Sequence, residues 1–353
     1  MNDRKDALGE HSKLQLSSDR LAIPTHEVQA VVESILKDAG CSVAIAHEVA
    51  DHLIDTELCG IESHGVMRVM QYADQFAKGV MDPRAEAVIR KNSKGDDEVD
   101  GCGGIGIPAM RIAVDHCVNK AKDMGIAALP LRHVGHTGRL GAYAERAANE
   151  GCLVMIIGGG GRQNWRQVTP YGGRKALLPT NPFCFGSPGG QNGPVIVDFA
   201  TSMIAGGWLY AARAAGAKVP FGTIMNREGQ LSDEPADYFN GGAILPKGGA
   251  MGYGLAVMAE LICEAMLGPV TTEVNWFIIA IDTKRYREPH IMMTVAEEIL
   301  AELRDCPPVE GVKRVEVPGE RERRHRDQNE ERLIALPEAT WSSMQDRAAR
   351  MAP

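Results

Sequence analysis

The chain is poor in aromatic residues and lacks CxxC cysteine pairs, a signal peptide and any long uncharged apolar run. Phe, Trp and Tyr make up 5% of the 353 residues, so Ala, Val, Ile, Leu and Met must form most of the core. The most apolar stretch, Gly252 to Val270, contains Glu260 and Glu264, which favours a buried helix over a membrane span. We therefore predict a cytoplasmic protein whose eight cysteines are reduced.

A basic surface for nucleic acid is also missing. The formal net charge is −8. The one basic cluster, Arg321 to Arg326, is interleaved with Glu320, Glu322 and Asp327. We expect this cluster to be a solvated surface of mixed charge, and we expect neither a nucleic acid nor a membrane as partner.

Helical and strand patterns divide the chain into four parts. Residues 1–20 are predicted to be a loose tail, and residues 21–85 a helical region. Strands alternate with helices over residues 86–285. Residues 286–353 are predicted to be helical, with a short strand at Arg314–Val317, and to pack on the N-terminal helices. The fold class is therefore α/β or α+β.

The glycines Gly101, Gly103 and Gly106 match the GxGxxG fingerprint of dinucleotide-binding units. That fingerprint needs an apolar strand directly before its first glycine, whereas the preceding residues here are Gly95-Asp-Asp-Glu-Val-Asp100. Carboxylates would not suit the centre of a parallel sheet and would repel a pyrophosphate. We predict a glycine-rich turn before a helix and no dinucleotide cradle.

The segment Glu62-Ser63-His64-Gly65, followed by Arg68, has the residue types that oxidation of an alcohol requires. His64 titrates near neutral pH and is suited to take a hydroxyl proton while hydride leaves the carbon. Arg68 lies four residues later, so on a helix it faces the same way and could clamp a carboxylate. A helix N-cap at Ser63 beside a surface histidine would give the same pattern.

The segment from His133 to Tyr143 contains His136 and Arg139 and lies between a predicted strand and a predicted helix. A helix N-terminus binds anions through its free N–H groups, and the glycines of this segment allow a ligand to approach closely. His133 and His136 could start a metal site, but the sequence offers no third ligand, so we predict no metal.

Two further segments place polar side chains and glycines at the ends of predicted strands. Asp198 ends an apolar strand, where a carboxylate needs a partner and could hold a catalytic imidazole in one tautomer. Thr201 and Ser202 could hold a cofactor phosphate or only cap a helix. The glycines between Lys247 and Gly254 suit phosphate contact and plain helix packing equally.

Taken in order, the motifs SHGxxR, HxGRxGxY, PYGG, TNP, DxATS, GGxxGYGL and PGE resemble the malate/L-lactate dehydrogenase family of the non-Rossmann kind. The resemblance runs from about residue 25 to about residue 335. The family includes dehydrogenases of malate, lactate, ureidoglycolate, sulfolactate and diketogulonate, and reductases of piperideine- and pyrroline-2-carboxylate. It implies an oxidoreductase of 2-hydroxy and 2-oxo acids that uses NAD or NADP. It also implies a homodimer, and a cofactor-binding and catalytic domain at residues 86–285 on a mixed or antiparallel sheet.

The resemblance implies a role for each candidate residue. His64 is the expected acid/base, with Ser63 beside it and Asp198 supporting the imidazole. The expected substrate-binding residues are Arg68, His136, Thr180 and Asn181. The expected cofactor-binding residues are His136, Arg139, Val197, Asp198, Phe199, Ala200, Thr201, Ser202, Met203, Lys247, Gly248, Gly319 and Glu320.

The chain departs from the family pattern at three places. Met251 stands where Lys is usual, Gly158–Gly161 replaces a strand end that usually offers an Asn, and the leader is long. Two alternatives to a hydroxy-acid dehydrogenase stay open. One is a reductase of a cyclic imino acid that uses the same His and Arg, and the other is a homologue that binds the cofactor without turnover.

Overall fold

The computed structural model describes residues 20–214, 216–329 and 332–349. Apart from Arg20, the predicted tail lies outside the described residues. No described helix is both long and apolar enough to cross a membrane. The eight cysteines are free thiols, as predicted, and six of them are buried.

The described residues form helices and strands in alternation. The helices are α1 (Thr25–Asp38), α2 (Val43–Leu58), α3 (Arg68–Ala77), α4 (Gly106–Met124), α5 (Leu140–Asn149), α6 (Gly206–Ala214), α7 (Pro235–Phe239), α8 (Ala250–Glu260), α9 (Pro289–Arg304), α10 (Glu320–Gln328) and α11 (Glu338–Ala349). The strands are β1 (Arg20–Pro24), β2 (Val88–Lys91), β3 (Asp97–Asp100), β4 (Ile126–Val134), β5 (Cys152–Gly159), β6 (Pro182–Ser187), β7 (Val195–Ala200), β8 (Ile224–Met225), β9 (Leu231–Ser232), β10 (Ala243–Ile244), β11 (Val274–Asp282) and β12 (Leu333–Pro337). Short 3₁₀ turns lie at Glu62–His64 and Thr283–Arg285, and a π-helical segment, Leu261–Met266, follows α8.

A seven-stranded sheet with the order β2-β3-β4-β11-β5-β6-β7 forms the centre of the molecule. Only β3 and β4 run parallel, and the other neighbouring pairs are antiparallel. Helices pack on both faces of this sheet, and successive side chains of β5 point to opposite faces. Ile156 packs with α4 and α5, while Ile157 packs with α8 and the π-helical segment. The predicted α/β class with a mixed sheet is confirmed.

The helices α1, α2 and α3 form a second core with the chain's other end. Strand β1 pairs with β12 across almost the whole sequence, and α11 lies against α1. Neither strand was predicted from the sequence, because each is five residues long and pairs only with a partner more than 300 residues away. The predicted strand at Arg314–Val317 is wrong. The backbone N–H of Val317 bonds to the Glu320 carboxylate, so this segment is a turn leading into α10.

The glycine pattern at Gly101–Gly106 has a different setting from the one predicted. It does follow a strand, β3, and the parallel pairing of β3 and β4 around α4 makes a βαβ unit. The strand tolerates its carboxylates because basic side chains such as Arg90 pair with them. The amides of Gly101, Gly103 and Gly106 all bond to carbonyls at the end of β4 and just after it. These three amides are therefore already bonded within the protein and are not free to hold a pyrophosphate.

The basic cluster Arg321–Arg326 is not the solvated surface that we predicted. It lies on α10, which has no exposed residue between Glu320 and Arg326. Arg326 pairs with Asp55 of α2 and Glu145 of α5, at 3.3 and 3.1 Å. The cluster therefore ties the C-terminal segment to both cores.

Candidate active site

Four of the predicted residues meet where the helical core joins the central sheet. Ser63 and His64 lie on the 3₁₀ turn before α3, and Arg68 is the first residue of α3. His136 lies in the loop between β4 and α5. The rings of His64 and His136 stack with centroids 5.4 Å apart. The fold thus brings the two predicted histidines together across 72 residues of sequence.

The side chain of Glu57 on α2 contacts the turn that carries His64. The backbone N–H of Val66 donates to Glu57 Oε1 at 2.9 Å. A Cβ on Gly65 would stand 2.0 Å from the same oxygen, so only glycine fits between the turn and α2. Burial, followed by the charge of Glu62, raises the pKa of Glu57 to about 8. The glycine of the SHG motif is therefore explained by this close packing.

The imidazole of His64 is neutral near pH 7. Its Nδ1 lies 3.0 Å from Ser63 Oγ, as the proximity of the two residues in sequence suggested. Burial lowers the pKa of His64 to about 3, and the charge of Arg68 acts in the same direction. A neutral imidazole can accept a proton from a hydroxyl group.

The imidazole of His136 has a partner that the sequence analysis missed. The Tyr72 hydroxyl lies 2.7 Å from His136 Nδ1, and the backbone N–H of Gly138 donates to the same nitrogen at 3.2 Å. Because Gly138 can only donate, Nδ1 is the unprotonated nitrogen and the ring proton sits on Nε2. Tyr72 lies four residues after Arg68 on α3, so helical spacing from Arg68 would have found it.

The guanidinium of Arg68 is fixed beside the two histidines. Its Nε donates to the Ser63 carbonyl at 2.7 Å, and its Nη1 donates to Gln71 Oε1. Its Nη2 faces Gly207 at the start of α6, where a Cβ would lie only 3.0 Å away. A side chain at Gly207 would fill the space beside Nη2, so the glycine keeps that space open.

Two predicted site residues have other partners. The carboxylate of Asp198 accepts a hydrogen bond from the backbone N–H of Gly141 at 2.8 Å, at the start of α5. Among the described residues it makes no hydrogen bond with His64, so the prediction that it orients His64 is corrected. Arg139 is 5% exposed and pairs with Asp55 at 2.7 Å. Its guanidinium links α2 to the start of α5, and its contact with a cofactor stays a prediction.

Thr180 and Asn181 serve the packing between strands and α8. Asn181 is fully buried, and its amide donates to Glu260 Oε1 at 2.6 Å. The Thr180 carbonyl accepts hydrogen bonds from the backbone and the hydroxyl of Thr201. The side chain of Asn181 therefore contacts α8, and its place in the substrate site stays a prediction.

The predicted cofactor segments lie next to one another at the β7 edge of the sheet. The N–H of Lys247 donates to the Thr201 carbonyl at 2.8 Å, and the N–H of Met203 donates to the Leu245 carbonyl at 2.8 Å. Thr201 and Ser202 are buried, and their hydroxyls bond to backbone carbonyls. Residues of these segments that reach the surface, wholly or in part, are Val197, Asp198, Phe199, Ala200, Met203, Lys247 and Gly248.

The segment at Gly319 and Glu320 adjoins the same edge. The N–H of Ile196 in β7 donates to the Pro318 carbonyl at 3.1 Å, and Gly319 adopts a left-handed φ of 94°. The carboxylate of Glu320 bonds to Arg304 and to the N–H of Val317. Glu320 thus shapes this turn through its own contacts, while the backbone of Gly319 lies beside β7.

The departure at Gly158–Gly161 has a physical explanation. A Cβ on Gly158 would meet the Trp276 ring at 2.5 Å, and one on Gly159 would meet the Ala259 carbonyl at 2.6 Å. The N–H of Gly160 donates to Glu260 Oε1. The glycine run therefore allows α8 and β11 to approach β5 closely. Met251 is 74% exposed on the first turn of α8.

The mixed sheet, the paired histidines and the arginine beside them fit an oxidoreductase with a nicotinamide cofactor, NAD or NADP. Residues 23–345 match the family model described as malate/L-lactate dehydrogenase, and the chain belongs to that family. The resemblance predicted from the motifs is confirmed.

Individual relatives cover most of the chain. It is 33% identical over 261 residues to a Delta(1)-pyrroline-2-carboxylate/Delta(1)-piperideine-2-carboxylate reductase of Pseudomonas putida, covering 74% of this chain and 75% of that one. It is 31% identical to an L-lactate dehydrogenase of Cupriavidus necator, covering 85% and 89% of the two chains. The structure of a malate dehydrogenase from Entamoeba histolytica has the same fold, with a TM-score of 0.87 at 22% identity, over 95% of this chain and 99% of that one.

Proposed function

We propose that this chain transfers a hydride between a nicotinamide cofactor and C2 of a small 2-hydroxy or 2-oxo carboxylic acid. The observation that carries the proposal is the stacking of two neutral imidazoles, His64 and His136, beside the guanidinium of Arg68. The guanidinium suits a substrate carboxylate, and an imidazole next to it can exchange a proton with the oxygen on C2.

Arg68 binds and orients the substrate carboxylate through Nη2, which faces the open space at Gly207. Its bonds to Ser63 and Gln71 fix the guanidinium before the substrate arrives. An arginine that is already ordered loses little side-chain freedom on binding, so more of the interaction energy appears as affinity. This placement directs C2 toward the imidazoles.

His64 takes the hydroxyl proton during oxidation and returns it during reduction. Because its pKa is lowered to about 3 in the protein without substrate, its imidazole is unprotonated throughout the physiological pH range and has a free nitrogen to face the hydroxyl group. Ser63 Oγ, at 3.0 Å from Nδ1, fixes the ring orientation. The bound cofactor supplies or accepts the hydride.

His136 is a second candidate for the proton transfer. Gly138 and Tyr72 both occupy its Nδ1, so its proton is on Nε2, the nitrogen opposite Tyr72. An Nε2–H that is fixed in one direction is suited to donate to a carbonyl oxygen during reduction. In this alternative, His64 orients the substrate and His136 is the acid.

Single substitutions distinguish these two roles. His64→Ala and His136→Ala are each measured for kcat, KM and cofactor affinity. Loss of a positioned general acid/base typically lowers the rate by about 10²–10⁴-fold. We expect His64→Ala to lower kcat to this extent with little change in cofactor affinity. If His64→Ala keeps near-normal turnover while His136→Ala loses it, His136 carries the proton.

The cofactor is proposed to lie along the β7 edge. Lys247 is exposed on a glycine-rich turn at the start of α8, where the helix N-terminus and the ammonium group both favour a phosphate. The backbone of Gly319 lies against Ile196 of β7, the strand that ends just before Thr201. Fluorescence titration of reduced nicotinamide with a Lys247→Ala variant tests this site, and an unchanged affinity would contradict it.

Reduction of a cyclic imino acid is the second candidate function. The Pseudomonas putida relative is named for pyrroline-2-carboxylate and piperideine-2-carboxylate, which carry a C=N bond at C2 beside a carboxylate. The same Arg68 would bind that carboxylate. Activity on imino acids compared with 2-oxo acids decides between the two.

A cytoplasmic homodimer is also part of the proposal. None of the residues of α9 is buried within the described chain, and Ile299 and Leu303 are 55% and 53% exposed. Apolar side chains on a helix without a partner favour burial in a second copy. Light scattering of the purified protein tests this, and Ile299→Glu is expected to raise the monomer fraction.

A further inference from the structure

A carboxylate without a hydrogen-bond partner lies beside the proposed substrate site. Glu273 directly precedes β11, where Val274 is paired with Val134 at the end of β4. The Thr272 hydroxyl donates to the Val134 carbonyl at 2.6 Å, and this bond fixes the segment. Val134 is two residues before His136, so the backbone of Glu273 lies beside the start of the loop that carries His136. Its Oε2 is buried and, among the described residues, has no hydrogen-bond partner.

Charges also connect Glu273 with the site. Burial raises the pKa of Glu273 to about 7, and Arg68 is the charge that opposes the shift. The pKa of Tyr72 is raised mainly by its own burial, and the Glu273 carboxylate contributes in the same direction. Glu273, which precedes β11, therefore shares one enclosure of low polarity with Arg68 and Tyr72 of α3.

An orphaned buried acceptor costs free energy unless a ligand satisfies it. A second carboxylate or a sulfonate on the substrate would be repelled by an ionised Glu273 in this enclosure. A cationic nitrogen with an N–H would instead supply both the charge and the donor that Glu273 lacks. Arg68 and Glu273 together match a compact molecule with an anion next to a cation.

We propose that Glu273 is a specificity-determining residue that, with Arg68, selects a cyclic 2-imino acid in its iminium form over a dicarboxylic 2-oxo acid. This inference rests on the proposed hydride transfer and names the substrate class of the same site. Arg68 binds the carboxylate, and Glu273 accepts a hydrogen bond from the iminium N–H.

The reaction balances without a further reactant. Hydride from the reduced nicotinamide adds to C2 of the iminium ion, and the π electrons of the C=N bond move to nitrogen. The products are the oxidised nicotinamide and a neutral cyclic secondary amine, which takes a proton from water to become the ammonium form. Because the iminium ion already carries its proton, this reduction requires less from an acid than reduction of a carbonyl does.

The test compares kcat/KM for Δ1-piperideine-2-carboxylate, pyruvate and oxaloacetate in the unmodified protein, in Glu273→Gln and in the surface variant Glu150→Gln. Gln keeps the shape and removes the charge. We expect the unmodified protein to prefer the imino acid over oxaloacetate by more than about 30-fold, as one lost charge-assisted contact of about 2 kcal/mol implies. Glu273→Gln should lower activity on the imino acid by about 10- to 100-fold, leave pyruvate within about threefold, and raise oxaloacetate. Glu150→Gln should change none of these values.

Three results would overturn the role of Glu273 while leaving hydride transfer intact. Glu273→Gln could lose activity equally on all three substrates, or lose only cofactor affinity. The unmodified protein could also prefer oxaloacetate. Absence of turnover with every acid would overturn the proposed function as well. Competitive inhibition of the unmodified protein is a second test, and it requires no variant. L-pipecolate, an ammonium carboxylate, should compete with the substrate at least tenfold better than L-malate, and the reverse order would contradict the proposal.

Discussion

The Tyr72 hydroxyl lies 2.7 Å from Nδ1 of His136 and connects α3, which begins with Arg68, to the loop after β4. Because Gly138 donates to the same nitrogen, Tyr72 helps to fix the tautomer and the ring plane of His136. Tyr72→Phe should therefore lower kcat by roughly tenfold, since one hydrogen bond contributes about 1 kcal/mol or slightly more. Steady-state kinetics with saturating cofactor measure the effect.

Tyr286→Phe is the matched control for that substitution, because Tyr286 is 78% exposed. It should leave kcat and KM unchanged. A Tyr72→Phe enzyme with normal kcat would show that His136 needs no positioning by Tyr72. A loss of cofactor affinity in place of kcat would assign Tyr72 to a different part of the site.

Arg68→Lys tests the carboxylate contact. Lys keeps the positive charge but loses the planar set of donors and the bond from Nε to the Ser63 carbonyl. We expect kcat/KM for the acid to fall by about 10- to 100-fold, with cofactor affinity unchanged. The amide of the same acid, which lacks the carboxylate, serves as the control substrate. If its turnover falls equally, Arg68 does not act through the carboxylate.

The lowered pKa of His64 predicts an unusual pH profile for the oxidation reaction. An imidazole with an ordinary pKa near 6.5 would be about 97% protonated at pH 5, and kcat/KM would fall about 30-fold from its plateau. With the pKa of His64 at about 3, the neutral form persists. We expect less than about a twofold loss between pH 7 and pH 5, measured as kcat/KM for a 2-hydroxy acid. A limb with a midpoint near 6.5 would contradict the assignment.

The lowered pKa values of buried histidines also make the folded protein less stable at low pH. The pKa values of His52 and His64 are both lowered to about 3, mainly by burial. Below about pH 6.5 the unfolded chain binds protons that the folded chain does not, so the free energy of unfolding decreases as the pH falls toward 3. Circular dichroism at each pH confirms that the kinetic measurements use folded protein.

Two glycines of α8 allow a controlled test of the contact between the Lys247 and Thr201 segments, which are proposed to bind the cofactor. A Cβ on Gly252 would lie 2.3 Å from the Lys247 carbonyl and 2.6 Å from the Thr201 carbonyl, whereas one on Gly254 would meet nothing within 4 Å. Gly252→Ala should separate the two segments, destabilise the protein by about 1–3 kcal/mol and raise the KM for the nicotinamide cofactor. Gly254→Ala should be neutral or stabilise the helix by up to about 1 kcal/mol.

Thermal unfolding and cofactor titration distinguish these two variants. Equal effects of both substitutions would mean that the contact between Lys247 and Thr201 does not shape the cofactor site. If Gly252→Ala destabilises the protein but leaves the cofactor KM unchanged, this contact also does not shape the cofactor site.

Local patterns predicted the elements that depend on local physics. Helix α2 lies within the predicted helical region, because Ser42 caps its start and its apolar residues follow the helical period. Strands β4, β5 and β11 are apolar runs that are recognisable in sequence. Strand β3 was missed because its carboxylates argued against a sheet, and the arginines that neutralise them come from other elements.

The site residues that are close in sequence were also easier to predict than those whose partners are distant. Ser63, His64 and Arg68 are close in sequence, and their grouping follows from one turn and the helix after it. The hydrogen-bond partners of Asp198 and Asn181 in the structure, Gly141 and Glu260, were not predicted because they are distant in sequence. Such pairings follow from strand order and helix packing, which no local pattern contains.

The most direct test of the central claim is to follow the absorbance of NADH and NADPH when the purified protein is mixed with 2-oxo acids and cyclic imino acids. The account predicts acid-dependent oxidation of one or both cofactors, and loss of at least 99% of this rate in His64→Ala, in line with the roughly 10²–10⁴-fold contribution of a general acid/base. Binding of the cofactor without oxidation by any of these acids would contradict it.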